Sequence, residues 1–309
     1  MIEATSITKR FGDCTALNNI TCTIPNGCIY GMVGTNGAGK STFLRLITGV
    51  FRPDEGRIQL DGAPIYENPA AKKRICYLPD ELYFLPGASM NTMADFYKSI
   101  YTEFDMEQFR ALTADFQLNP KSPVNAFSKG MKRQAATILA LATKPDYLFF
   151  DETFDGLDPI MRNVVKGLIC QDVVDRGATA VITSHSLREL EDTCDQLALL
   201  HKGGIVLQSD IQDLKTNLFK VQIAFNAPCS KESFSGIEIM NFKQAGSVCT
   251  LIVQGNRDDV MYKLRGMNPL LLDVLPLTLE EVFTYEIEAL GYDYSHILEE
   301  VSHENKETI

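Results

Sequence analysis

No stretch of the 309-residue chain approaches the ~18–20 consecutive apolar residues that a membrane-crossing helix needs, so no transmembrane span is expected. The N-terminal MIEATSITKRFGD has no apolar core of the kind a secretory signal requires. Tryptophan is absent, and so is any Cys-x-x-Cys pair. The eight cysteines are scattered, several in strand-like apolar runs, and read as reduced core residues of a cytosolic protein rather than a zinc site or disulfide framework. Basic charge is also short: 29 Lys and Arg against 40 Asp and Glu give a net charge of −11. That excludes a protein that coats nucleic acid or anionic lipid through bulk charge, though not a local basic groove. There is no internal repeat and no low-complexity segment.

What is present suits a folded chain. Hydrophobic residues make up 45% and charged residues 22%, which separates the sequence from disordered ones. The length allows about two domains. IEATSITKRF and LNNITCTI alternate as strands, and Ile29–Val33 forms an apolar strand followed by a glycine-rich loop. A helix is expected over 41–50. Residues 87–143 change to helical spacing. A strand is expected over 147–152, a helix over 159–176, a strand over 178–183, a helix over 187–194 and a strand over 197–203. Strands alternating with helices imply a parallel sheet. Beyond about 215 the pattern becomes short antiparallel strands with two helices, so a boundary is placed near 212–218. The last stretch, with Asp293, Glu299, Glu300, Glu304 and Glu307 against Lys306, reads as an acidic tail.

Gly34-Thr35-Asn36-Gly37-Ala38-Gly39-Lys40-Ser41 matches G-x-x-x-x-G-K-[ST] in full, between an expected strand and an expected helix. A phosphate chain needs donors, and glycines let successive N–H groups point inward while the helix start adds its positive dipole end. Lys40 can reach β- and γ-phosphates, the Ser41 hydroxyl can bind Mg²⁺, and Thr42 can donate to the α-phosphate.

Tyr147-Leu148-Phe149-Phe150-Asp151-Glu152 reads as a buried strand with two carboxylates at its C-terminal end, where parallel sheets bind ligands. Asp151 is placed to hold Mg²⁺ through water, and Glu152 to polarise an attacking water as general base. His185 follows directly after the next strand and is placed to bond the γ-phosphate. Phe127-Ser128-Lys129-Gly130-Met131-Lys132-Arg133-Gln134 opens a helix. Its hydroxyl, glycine N–H and helix start suit either a second anion cradle or a simple capped helix.

In this order the motifs resemble the ATP-binding cassette (ABC) ATPase family, over about residues 2–210. The resemblance implies an α/β P-loop NTPase fold: a RecA-like parallel-sheet core, an N-terminal antiparallel β subdomain and a helical signature subdomain. Residues 1–212 would form this nucleotide-binding domain, with the helical subdomain at about 86–143. A small α+β domain would follow at 213–290, and the tail at 291–309. The resemblance further implies Phe11 as the aromatic stacked on adenine. The phosphate contacts would come from Asn36, Gly37, Ala38, Gly39, Lys40, Ser41 and Thr42. Asp155-Gly156-Leu157-Asp158 would be the D-loop. Ser128 and Gly130 would contact the γ-phosphate held by an opposing cassette, because the family closes two ATPs between two head-to-tail copies.

Three positions depart from the family pattern. The signature, usually Leu-Ser-Gly-Gly-Gln, is Phe-Ser-Lys-Gly-Met, with Lys129 and Met131 at the changed sites. Asp80 stands where a Gln follows Tyr77-Leu78-Pro79; a carboxylate there can still approach Mg²⁺. Thr153 replaces a Pro. Signatures beginning Ser-Lys-Gly-Met resemble those of single-cassette subunits of bacterial export-type systems, as does Leu277-Thr278-Leu279-Glu280-Glu281-Val282-Phe283, which equally suits a plain amphipathic helix.

The expectation is therefore an ATP- and Mg²⁺-dependent motor subunit, an ATPase that acts as a homodimer or heterodimer with a separate membrane permease. It would sit in the cytoplasm, peripheral on the inner face of the cell membrane. Leu82, Tyr83, Phe84 and Leu85 are the candidate docking run, unless they fill the helical subdomain's own core. A regulatory cassette with little hydrolysis is the main alternative. A soluble ABC ATPase acting on DNA or ribosomes fits less well: Asp80 and Ser128 leave no room for a long coiled-coil insertion, there is one phosphate loop, and no nucleic-acid partner is expected.

Overall fold

The computed structural model describes residues 1–212, 218–226, 229–275 and 277–289. The acidic tail expected at 291–309 and the boundary segment 213–217 lie outside the described residues. Two units are distinguished, Met1–Gln208 and Ser209–Ile309.

In the first unit, the alternating strands β1 (Ile2–Phe11) and β2 (Cys14–Ile24) pair antiparallel, with Ile2 opposite Ile24 and Phe11 opposite Cys14. With β4 (Glu55–Leu60) and β5 (Ala63–Pro64) they form a four-stranded sheet in the order β2-β1-β4-β5. Between them in the chain come β3 (Ile29–Val33) and α1 (Lys40–Ile47). Phe43, Leu44, Leu46 and Ile47 of α1 are buried in one cluster with Tyr147 and Phe149 and with Ile7 and Leu17 of the antiparallel sheet. That apolar face fixes the helix, and hence the loop before it, over the central strands.

A short α2 (Pro69–Lys72) leads to β6 (Ile75–Leu78). Three helices follow: α3 (Met90–Ile100), α4 (Met106–Asp115) and α5 (Lys129–Ala142). Each is N-capped by the side chain before it, Ser89, Asp105 and Ser128 respectively. Then come β7 (Tyr147–Asp151), α6 (Pro159–Arg176), β8 (Thr179–Ser184), α7 (Leu187–Glu191), β9 (Gln196–His201) and β10 (Gly204–Asp210). The central sheet has the order β10-β9-β3-β8-β7-β6, and β9, β3, β8, β7 and β6 run parallel. β3, β7 and β8 are buried along their whole length, as strands covered on both faces must be.

One local expectation is corrected, and the Leu82–Leu85 run divides between the two readings left open for it. The helix expected over 187–194 ends at Glu191. The N–H groups of Thr193 and Cys194 both turn back to the Leu190 carbonyl, which brings the Asp195 carboxylate to the Ile29 N–H at 2.8 Å. The run Leu82–Leu85 is not a uniformly exposed patch. Phe84 is buried, Leu82 and Leu85 are half-buried, and only Tyr83 stands in solvent at 74% exposure.

The second unit is a four-stranded antiparallel sheet in the order β12-β13-β11-β14, built from β11 (Leu218–Ala224), β12 (Glu238–Ala245), β13 (Val248–Gln254) and β14 (Leu271–Leu275). Val260 and Leu264 of α8 (Arg257–Gly266) join Val221, Ile223, Leu251 and Val253 in its core. The Leu277–Phe283 segment opens α9 (Leu279–Ala289). Leu279, Val282 and Phe283 are fully buried, and Thr278 and Glu281 cap each other reciprocally. No described helix is long and apolar enough to cross a membrane.

Candidate functional site

In the sheet order β9-β3-β8-β7, the loops after β3, β8 and β7 emerge side by side at the C-terminal strand ends. That end is where open parallel sheets collect ligands. The three strongest sequence signals sit on those three loops.

The loop after β3 curls over the start of α1. Gly39 has φ = 107°, a left-handed conformation that side chains resist. A Cβ there would also lie 2.8 Å from the Ala16 carbonyl. Ala38 is buried and its backbone closes the loop, with its N–H to Thr35 O and its carbonyl accepting from Gly203. Lys40 is 5% exposed. Its ammonium donates to the Gly34 carbonyl at 2.6 Å and pairs with Glu152 Oε1 at 3.0 Å. Thr35, Asn36, Gly37, Gly39, Lys40, Ser41 and Thr42 line a cleft of about 410 Å³. Asp80 and Glu152 form its acidic side, and Lys202 adds a second cation that the sequence did not single out.

The strand β7 delivers Asp151 to the same place, fully buried. Its Oδ1 accepts from Ser41 Oγ at 3.1 Å and from Thr183 Oγ1 at 2.8 Å, and its Oδ2 from Tyr77 OH at 3.2 Å. Thr183 Oγ1 also accepts the Glu152 N–H at 3.1 Å. Thr183 and Tyr77 thus hold the Asp151 carboxylate, Thr183 also holds the Glu152 backbone, and no motif marks either residue for that role.

Glu152 adopts φ = 47°, uncommon for a residue with a side chain. Such conformations cost on the order of 1–3 kcal/mol and persist where surroundings over-determine them. Its Oε2 lies 3.2 Å from His185 Nδ1. Burial works to raise the Glu152 pKa, but the His185 hydrogen bond and the Lys40 charge outweigh it, and the carboxyl is held below its ordinary value. His185 is raised by the same hydrogen bond against its own burial. Asp155 completes this group, with one ligand atom each from Glu152, Asp155 and His185 within 4.8 Å of one another. Burial raises the Asp155 pKa, against the lowering effect of His185.

Two further pairs shape the site. Ser184 Oγ donates to Glu189 Oε2 at 2.5 Å, and Glu189 Oε1 pairs with Arg162 Nη1 at 2.6 Å, so the His185 loop is tied to the first turn of α6. Asp80 lines the cleft, but its Oδ1 is bound by Arg133 Nη2 at 2.5 Å.

The remaining sequence candidates lie elsewhere on the first unit. Phe11 is half-exposed and packs edge-on against Phe51 at 5.6 Å, with the Lys9 ammonium 5.4 Å from its ring centre. It lines a separate depression of about 520 Å³ with Phe51, Arg52 and Tyr66, not the phosphate-loop cleft. Ser128 is exposed and its Oγ accepts the Met131 N–H at 3.2 Å as the cap of α5. A Cβ on Gly130 would lie 3.0 Å from the Gly156 carbonyl, so the helix start and the 155–158 turn approach closely at this glycine.

The family described as ABC transporter matches residues 17–155. The chain is similar to the ABC transporter ATP-binding protein YtrB of Bacillus subtilis (strain 168), 30% identical over 283 residues that cover 92% of this chain and 97% of that one. It is similar to Nod factor export ATP-binding protein I of Sinorhizobium fredii (strain NBRC 101917 / NGR234), 30% identical over 292 residues, 91% of this chain and 84% of that one. The first unit shares its fold with the dimeric, post-hydrolysis structure of an ATP-binding cassette bound to ADP and Pi, at a TM-score of 0.62 and 19% identity, over 68% of this chain and 99% of that one. The chain belongs to the ABC transporter family, as an ATP-binding, ATP-hydrolysing subunit.

Proposed function

We propose that this ATPase binds Mg²⁺-ATP in the cleft after β3 and works as a dimeric motor for a separate membrane permease, in the direction of export. The observation that carries the reading is the meeting of Lys40, Glu152 and His185 around the glycine loop, with contacts of 3.0 and 3.2 Å.

The roles follow from the chemistry of each group. The loop N–H groups from Asn36 to Gly39 and the dipole of α1 favour a phosphate chain. Lys40 supplies the cation for its outer phosphates, and Ser41 and Thr42 offer hydroxyls. Ser41 Oγ and Asp151 Oδ1, 3.1 Å apart, are hard oxygen donors of the kind that suits Mg²⁺. Bound there, the ion would neutralise charge on the β- and γ-phosphates. Asp80, expected as a third ligand, faces the cleft with one oxygen engaged by Arg133. Glu152 is ionised at neutral pH, which a general base requires, and can accept a proton from water oriented with the help of His185. Phe11 lines a depression separate from the cleft, and its assignment to adenine is supported by the family resemblance alone.

Ser128 and Gly130 are assigned to the γ-phosphate of a second copy or a related cassette. Their support is the exposed helix start, with its hydroxyl and backbone N–H groups. The dimeric cassette structure of the same fold favours the same reading. Export is favoured by the similarity to a Nod factor export subunit. The permease is favoured by family membership and by the absence of a spanning helix among the described residues. Residues 213–290 are assigned to an accessory domain, and the ATPase is placed at the inner face of the membrane.

The test is nucleotide affinity. Lys40→Ala should weaken ATP binding by about 100-fold, the scale of losing a cation with more than one charge-assisted bond. Unchanged affinity by calorimetry would remove the cleft as the site.

A further inference from the structure

The phosphate-loop cleft has two cations in its lining, Lys40 and Lys202. Lys40 is already engaged, by the Gly34 and Thr35 carbonyls and by Glu152. Lys202 is exposed, and among the described residues its ammonium has no hydrogen-bond or ion-pair partner. An unpaired ammonium in the wall of a cleft that receives a polyanion is free to meet that charge.

The backbone fixes Lys202 in place. Lys202 and Gly203 alone join β9 to β10, and both are left-handed, at φ = 45° and 75°. Two-residue turns of that kind favour Asn, Asp or Gly, and a lysine gains nothing locally from the conformation. Gly203 anchors the turn on both sides. Its N–H donates to the Ala38 carbonyl of the glycine loop at 3.0 Å, and its own carbonyl accepts from the Asn18 N–H of β2 at 2.8 Å. A Cβ on Gly203 would lie 2.6 Å from the Ala16 carbonyl. Lys202 is thus held beside the glycine loop, and Cys14, Thr15 and Ala16 of β2 line the cleft with it.

The lining divides by chemistry. The outer phosphates and Mg²⁺ find partners in Lys40, in Ser41 and in the acidic side of Asp80 and Glu152. Apart from the glycine loop and the start of α1, the lining that remains is the start of β2 and the β9–β10 turn. That wall is left for the inner part of the nucleotide, whose one anion is the α-phosphate. We propose that Lys202 binds the α-phosphate, as a second partner for it besides the Thr42 hydroxyl. This rests on the cleft being the nucleotide site. ATP and ADP carry the same α-phosphate, so the contact holds nucleotide before and after hydrolysis and does not favour substrate over product.

The test measures the affinity of the full chain for ADP and for the non-hydrolysable analogue AMP-PNP by calorimetry, both with Mg²⁺. The thermal midpoint without nucleotide is read alongside. Lys202→Gln should weaken both affinities by the same factor, about tenfold, the scale of one charge-assisted bond. Its midpoint should stay in place, because the ammonium has no partner in the free protein. Lys202→Arg keeps the charge and should bind both nucleotides more tightly than Lys202→Gln does. A loss for AMP-PNP alone would move Lys202 to the γ-phosphate, and no loss for either nucleotide would remove it from the site. Each of those results overturns the proposal while Lys40→Ala still weakens binding. Unchanged affinity in Lys40→Ala would instead remove the cleft as the nucleotide site, and this proposal with it.

Discussion

The Lys40 ammonium lies 3.0 Å from Glu152 Oε1, and the two side chains are only 5% and 12% exposed. The cation of the glycine loop and the carboxylate at the end of β7 therefore share one desolvated site. Removing either partner of such a pair strands the other charge, which makes their neighbours sensitive reporters.

His185 is the first reporter. Its raised pKa means the folded state holds the imidazolium more tightly than the unfolded chain does. That contribution to stability is complete below the ordinary histidine value of 6.5 and is lost as pH rises through the raised folded value. Glu152 is the mirror case: its contribution holds above the ordinary 4.5 and fades as pH falls through its lowered value. In an NMR titration of the four histidines, the His185 resonance should titrate above 6.5 and move down in Glu152→Gln. An unmoved His185 titration would contradict the pairing.

Thr183→Val removes a hydroxyl that is fully buried and serves both the Asp151 carboxylate and the Glu152 N–H. The swap keeps the shape but leaves the Glu152 N–H unpaired, in a residue already held at φ = 47°. A cost of about 1–3 kcal/mol is expected, with a fall in kcat of roughly tenfold as Glu152 loses its setting. Thermal melts and steady-state ATPase assays would check both, and a variant with wild-type kcat would show that Thr183 does not position the carboxylate.

Glu189 is buried and bonded to Ser184 and Arg162. Glu189→Ala should destabilise by about 2 kcal/mol, since Arg162 remains partly solvated. Glu189→Gln should be milder, because an amide keeps a partner for Ser184. Equal urea midpoints for the two variants would contradict this role.

Much of this was legible in the sequence because it is carried locally. The glycine loop, the apolar strand ending in Asp151 and Glu152, and the helix over 159–176 each announce themselves through spacing. β5 and α2 are too short to show a period, and the apolar spacing of Leu187 and Leu190 continues to Cys194 through the turn that follows Glu191. Contacts between distant segments were not legible at all. Thr183, Tyr77 and Glu189 carry no motif, and the burial of Phe84 inside an apolar run depends on packing that composition does not encode. Asp80 stood out as an exception, but only the fold reveals that its carboxylate meets Arg133.

The most direct measurement is the ATP hydrolysis rate of the wild-type chain beside Glu152→Gln, with ATP affinity measured on the same samples. Loss of a positioned general base should lower kcat by about 10²–10⁴-fold, with ATP still bound tightly in the Lys40 cleft. A Glu152→Gln chain that hydrolyses ATP as fast as wild type would contradict the assignment of Glu152 as the group that activates water.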